Sequence, residues 1–333
     1  MKRKLFAITL LMVIFLITGC RGRSEKDIVG DLSDKIKNAD TYKLEGTLEL
    51  LNNDDMYNYD VEVSFKKDNM YKVRLVNQAN NHEQIILKNN DGVYVLTPSL
   101  NKSFKFQSDW PYSNSQIYLL QSVINDLTQD DNRIFKELED GYQFTTTVDY
   151  PNNPLLIKQD ILLDKDLNIK EIIVLNEEEI PQMTMRFTNI DFSPSFKEDY
   201  FELEIIMENI NVEEKEIPVG LIDQSIFPLA IPSGTRLISK EEVERPDGER
   251  VIMTFGGERP FLLVQETANV RDEFTVIPTR GEPHLLIDTL GVLTNNSITW
   301  SSNGIEYFIV SDVLSRQELI DVASSINVIQ VMK

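Results

Sequence analysis

A single cysteine, two histidines and two tryptophans among 333 residues remove much of the usual catalytic chemistry at once. One thiol can make neither an internal disulfide nor a thiolate metal cluster. His82 and His284 lie far apart in no H-E-x-x-H or related spacing, so they read as ordinary surface or strand residues, not zinc ligands. No G-x-S-x-G elbow and no P-loop is present, and Gly256-Gly257 alone is a turn signal. Cations are scarce too: 33 Lys and Arg face 54 Asp and Glu, and the resulting net charge of −21 repels nucleic-acid phosphates. The run Asp164-Lys165-Asp166-Leu167-Asn168 begins like a calcium loop. Ile169 and Leu175, however, stand where such a loop needs glycine and glutamate. The expectation is a chain that is not an enzyme, holds no metal or cofactor and binds no nucleic acid.

What the chain does have begins at its first residues. Lys2, Arg3 and Lys4 precede an apolar run from Leu5 to Ile17, broken only by Thr9 and ending in Ile17-Thr18-Gly19-Cys20. The run is shorter than the roughly 20 residues that span a bilayer, and its parts are those of a secretory signal. Its ending resembles the lipobox of bacterial lipoproteins. That resemblance implies a signal peptide at 1–19, a diacylglyceryl group on Cys20, and residues 20–24 as the anchor segment. The partner implied is the membrane, reached from its extracytoplasmic face. Two acyl chains hold a protein there stably where one would be marginal.

After the anchor the period is helical and then switches to two. Ser24 and Asp27 offer a cap to a helix over 24–38, with Ile28, Leu32 and Ile36 on one stripe. From Tyr42, apolar and polar residues alternate through Leu44, Leu48 and Leu50, with Gly46 interrupting the apolar side. The beat returns at Tyr59-Val61-Val63-Phe65, Tyr71-Val73-Leu75, Tyr142-Phe144-Thr146-Val148 and Met183-Met185-Phe187. Antiparallel strands with one buried face read this way. A helix is expected near 114–127, where Ile117, Leu120, Ile124 and Leu127 align. The reading is mainly β with α: a half-barrel domain over 25–210, a polar linker at 211–220, and a small α+β domain over 221–333. In that last domain, Ser315 and Glu318 form a capping box, with Leu314 and Leu319 as its staple.

Several segments together resemble the LolA-type carriers of bacterial lipoproteins over about residues 25–210. They are Asn90-Asp91-Gly92-Val93-Tyr94-Val95-Leu96-Thr97-Pro98, Tyr71-Lys72-Val73-Arg74, the Asp164–Ile169 hairpin, and Met185-Arg186-Phe187 through Phe201-Glu202-Leu203. The tethered sporulation and germination lipoproteins of Gram-positive spore formers, of the YdcC and GerS kind, resemble it most, since they join a lipobox to this domain. The resemblance implies an incomplete antiparallel β-barrel, covered by helices, with an apolar concavity for an acyl chain or lipoprotein. Its lining would be Tyr42, Leu44, Leu48, Val61, Val63, Phe65, Val73, Leu75 and Tyr94. Arg74 could close lid helices by donating to their carbonyls, although alternation alone puts it on the exposed side of its strand.

Two functions follow from this. One is a non-enzymatic envelope lipoprotein that binds an apolar ligand, in sporulation or envelope biogenesis. The other is a scaffold that binds or activates a peptidoglycan enzyme during sporulation or germination, without lipid cargo. An unfilled concavity favours the first, a filled one the second. Either way, Cys20→Ala should abolish labelling of the protein by an alkyne fatty acid in cells. Label persisting on that variant would remove the lipoprotein reading.

Overall fold

The structure, a computed structural model, describes residues 23–52, 55–107, 110–111, 115–209, 222, 226–270, 273–286 and 289–326. The expected leader 1–19, Cys20 and the expected linker 211–220 lie outside the described residues. The first helix, α1 (Glu25–Lys37), starts on a complete capping box. Ser24 accepts from the Asp27 amide, and the Asp27 carboxylate accepts from the Ser24 amide. Its Ile28, Val29, Leu32 and Ile36 are buried.

Six strands follow as a meander: β1 (Thr41–Asn52), β2 (Asp55–Lys66), β3 (Met70–Asn77), β4 (Glu83–Asn89), β5 (Gly92–Thr97) and β6 (Lys102–Phe106). Their turns are chemically specified. Three residues connect β2 to β3, and two of them, Asp68 and Asn69, take the left-handed backbone at φ 72° and 63° that short polar side chains tolerate. A second helix, α2 (Leu120–Gln129), leads to another meander: β7 (Ile134–Glu137), β8 (Gly141–Thr147), β9 (Lys158–Asp164), β10 (Ile169–Leu175) and β11 (Pro181–Asp191). Strand β11 returns to pair with β1, which fuses the two meanders into one sheet. The pairing slips between Glu45 and Gly46. Any Cβ at Gly46 would run into the Arg186 carbonyl, so the glycine that breaks the apolar alternation is what this bulge needs.

The sheet has free edges and does not close. It curls nonetheless, because residues from β1, from β5 and β6, and from β8 to β10 all enter one core with α1 and α2. This is the expected incomplete barrel. Helix α2 begins later than its apolar stripe suggests, since Leu119 supplies no side-chain cap and Ile117 lies outside the helix, though buried. The calcium-like run is a hairpin turn. The Asp164 carboxylate is consumed by the amides of Asp166 and Asn168 and by Lys170.

A short helix, α3 (Leu203–Asn209), precedes the C-terminal part, whose strands are β12 (Thr235–Arg245), β13 (Gly248–Gly257), β14 (Phe261–Thr267), β15 (Thr275–Thr279), β16 (Glu282–Leu285), β17 (Leu290–Leu293), β18 (Ser297–Ser302) and β19 (Ile305–Val310). All but β15 form a seven-stranded sheet in the order β12-β13-β14-β19-β18-β17-β16. Helix α4 (Arg316–Ser324) packs on it, with its Ser315–Glu318 capping box formed and Leu314 and Leu319 buried.

The C-terminal part, expected as a small α+β domain over 221–333, is joined to the half-barrel by shared structure. Strand β15 adds to the first sheet, parallel to β6, covering an edge whose amides and carbonyls would otherwise be unpaired. Leu290 and Val292 belong to the half-barrel core. Gln84, 4% exposed, ties the halves directly. Its Nε2 donates to the Leu290 carbonyl at 3.1 Å, and its Oε1 accepts from the Thr289 hydroxyl at 2.9 Å and from the Leu290 amide. Lys102 of β6 pairs with Glu306 of β19 nearby. Replacing Gln84 by Ala should therefore cost about 1–3 kcal/mol of stability in urea unfolding, because it leaves buried backbone groups unsatisfied. A change within experimental error would mean that the junction is not held by this side chain.

Candidate functional site

The concave face is where a ligand was expected, and it is occupied by the chain itself. Tyr42, Leu44, Leu48, Val63 and Val73 are 0% exposed, and Val61, Phe65 and Leu75 are buried as well. Strand register explains why they meet: Leu44 stands opposite Val63, Val63 opposite Val73, and Val73 opposite Ile86. Leu120, Val123, Ile124 and Leu127 of α2 and the stripe of α1 fill the hollow above this row. The filling is fixed in place by geometry. The Tyr42 ring stacks on Phe65 at 4.9 Å and its hydroxyl donates to Gln121 of α2 at 2.6 Å. Phe65 contacts Tyr71, whose ring meets Trp110 edge-on.

One expected lining residue, Tyr94, and the expected lid latch, Arg74, are elsewhere. Tyr94 is on the opposite face of the sheet. There it packs with Ile85, Leu87 and Leu96 under Phe201, Leu203 and Ile206, a second cluster outside the hollow. The continuous apolar runs of β4 and β5 are what strands buried on both faces require. Arg74 does not reach lid carbonyls. Its Nε and an Nη hold the Glu83 carboxylate of the adjacent strand at 2.9 Å each. That bidentate pair, half-exposed on the polar side, raises the guanidinium pKa further. It belongs to a series of outward ion pairs that includes Lys43 with Glu45 and Glu62, and Arg186 with Glu49 and Glu171.

Two cavities lined by described residues lie beside this packed core. The first, about 190 Å³, opens where the half-barrel rim meets the C-terminal part. Leu50, Ile86 and Met183 come from the rim, Ile117 and Tyr118 from the segment before α2, and Leu285, Leu290 and Ile320 from the C-terminal part. Its polar lining includes Gln116, Asn152, Asn153, Gln182 and His284. Asn152 is held by donating to Glu282 at 2.8 Å, and Glu282 also receives Arg316. No sequence signal singles out these residues as a group, because they come from seven separate stretches.

The second cavity, about 170 Å³, lies beside α2 and is polar, lined by Ser115, Gln121, Ser122, Asn125, Asp126 and Asp149 among others. Burial pushes the Asp126 carboxyl up to about 6, against the hydrogen bonds from Ser115 and Gln159. Among the described residues, no group of three or more His, Cys, Asp or Glu side chains converges.

The curled open sheet, filled by its own helices, defines an incomplete β-barrel protein with an appended β-rich part. The family profile described as sporulation protein YdcC-like matches residues 1–201. The sporulation protein YdcC of Bacillus subtilis (strain 168) is 33% identical over 330 residues, covering 97% of each chain. The chain belongs to the sporulation protein YdcC-like family. Among solved structures, that of the Pseudomonas aeruginosa MucA/MucB complex aligns over 90% of this chain and 98% of the matched one, with 14% identity and a TM-score of 0.32. The structure of the Clostridioides difficile CwlD amidase with the GerS lipoprotein aligns over 53% of this chain and 99% of the matched one, with 16% identity and a TM-score of 0.24.

Both histidines are partly buried, His82 just before β4 and His284 within β16. Burial lowers each imidazole to about 4, with Arg316 adding to the effect at His284 and Glu83 opposing it at His82. Between pH 6.5 and 4 the unfolded chain therefore binds more protons at these sites than the folded one, and stability falls as pH falls through that window. Asp126 acts oppositely: its raised pKa makes the folded state the better proton binder between about 6 and 3.8. Replacing His284 by Gln should flatten the acid-side loss, by up to about 3 kcal/mol. The check is the urea midpoint at pH 7 and pH 4.5. An unaltered difference between the two would remove His284 as a source of acid sensitivity.

Proposed function

We propose that this protein is a non-enzymatic, membrane-tethered sporulation protein that acts as a scaffold for a protein partner outside the cell membrane. The observation that carries the reading is the filled concavity. An acyl-chain carrier needs that space, and here Leu44, Val63, Val73 and the faces of α1 and α2 pack in it as core. The lipobox-like ending at Cys20 supplies the tether, and the family supplies the sporulation setting. A peptidoglycan enzyme fits as the partner class, since such enzymes work on the side of the membrane where the tether would hold the chain.

The surface supports the same reading. Phe227, Leu229, Ile231, Leu237, Ile238 and Val243 are all exposed within one stretch, with Leu229 at 79%. These exposed apolar side chains, on a chain of net charge −21, are the candidate contact residues.

The test is cross-linking and capture of the full-length protein from sporulating cells, followed by identification of proteins and lipids. The expected result is a peptidoglycan-processing enzyme recovered with the wild type. Recovery should drop at least about tenfold with Leu229→Asp plus Ile238→Asp, whose exposed positions leave folding intact. Recovery of no such enzyme, or equal recovery with the variant, would count against the scaffold.

A further inference from the structure

We propose that the cavity between the half-barrel rim and the C-terminal part binds one acyl chain of an uncharged, single-chain amphiphile, whose head group stays at the mouth. This site is distinct from the hollow of the half-barrel, which is filled, and the proposal does not depend on the scaffold reading. Three observations carry it.

The first is the lining. Nineteen described residues border the cavity and none is Asp, Glu, Lys or Arg, in a chain in which 26% of residues are charged. The second is the gradient of polarity. Ile86, Ile117, Tyr118, Leu156, Leu286 and Leu290 are buried at the walls, whereas Gln116, Asn153, Gln182 and Ser324 are only partly buried. A hydrocarbon interior with a rim of neutral amides and a hydroxyl suits a chain that enters tail first and leaves hydroxyl groups to hydrogen-bond at the rim. An apolar occupant gains the contacts that the apolar part of the walls now lacks. The third is size, since about 190 Å³ admits one chain and not the paired chains of a diacyl lipid.

Charge decides the head group. Arg316, the cation that acts on His284, is already held by Glu282, and His284 is neutral at physiological pH. Among the described lining residues a carboxylate or phosphate would meet no Lys or Arg, and it would face a chain of net charge −21. A monoacylglycerol meets neither obstacle, whereas a fatty-acid anion meets both.

The experiment uses the full-length protein in its membrane. Cells are given a monoacylglycerol that carries a photoreactive diazirine and an alkyne in its chain, irradiated, and the cross-linked peptides are mapped. The matching fatty acid and a diacyl phospholipid with the same chain serve as parallel probes. Cross-links are expected in the segments 116–118 and 283–286 and at Met183 and Leu290, with the monoacylglycerol at least tenfold ahead of the other two. Labelling by a short-chain series should rise about fourfold per added methylene until the cavity is full and then level off.

Met183→Trp and Leu285→Trp, at two partly buried lining positions, one from the rim and one from the C-terminal part, should each reduce the label about tenfold. Each variant's thermal midpoint is measured to confirm that it folds. Label confined to other segments, equal labelling by the diacyl probe, or full labelling of both folded Trp variants would overturn the proposal. Capture of the protein partner from the same cells reads the scaffold separately, so either idea can fail alone.

Discussion

Everything in this structure depends on one requirement: the apolar face of a long, curled sheet must be kept from water. Strands β1 to β3 place Tyr42, Leu44, Leu48, Val61, Val63, Phe65, Val73 and Leu75 on that face, and an open sheet cannot bury them by closing on itself. The chain meets the requirement with α1 and α2. Burying a large aliphatic side chain is worth about 1.5–3 kcal/mol. The helix stripes and the strand rows together therefore form the largest favourable contribution in the half-barrel. The Tyr42–Gln121 hydrogen bond and the aromatic chain through Phe65, Tyr71 and Trp110 then select one arrangement among many greasy ones. Once the hollow is spent in this way, function has to be sought at the surface and at the seams.

The most informative seam joins the two halves. Strand β15 caps the edge at β6, Gln84 satisfies backbone groups of Leu290, and the pair of Lys102 with Glu306 spans the same boundary. These contacts make the C-terminal part a structural extension of the half-barrel, and they fix the walls of the junction cavity. Residues distant in sequence, such as Leu50, Ile117 and Ile320, line it together for that reason. A site built across a seam is as rigid as the seam.

The fold was readable wherever periodicity is driven by a single buried face. The strands from Tyr42 to Leu75, the capped helix after Ser24 and the capping box at Ser315 follow directly from local pattern. Reading fails where the environment is not local. Tyr94 sits in a strand buried on both faces, so alternation could not say which side it takes. Arg74 looked like a lid latch only through resemblance, and its alternating position already put it beside Glu83 on the polar side. Strand β12 has almost no alternation because both of its faces are largely exposed, and β15 is defined by a parallel pairing with a strand far upstream. The junction cavity was invisible because no single stretch of sequence contains it.

Whether α1 and α2 are core or lid is the question on which the account turns. Native-state hydrogen exchange on the full-length protein answers it directly. If the helices are core, their amides should exchange only through global unfolding, with protection within about 1 kcal/mol of the most protected amides of β1 to β3. Helix amides exchanging at least about 3 kcal/mol more easily than those strands would contradict it, because the hollow would then open while the sheet stays folded.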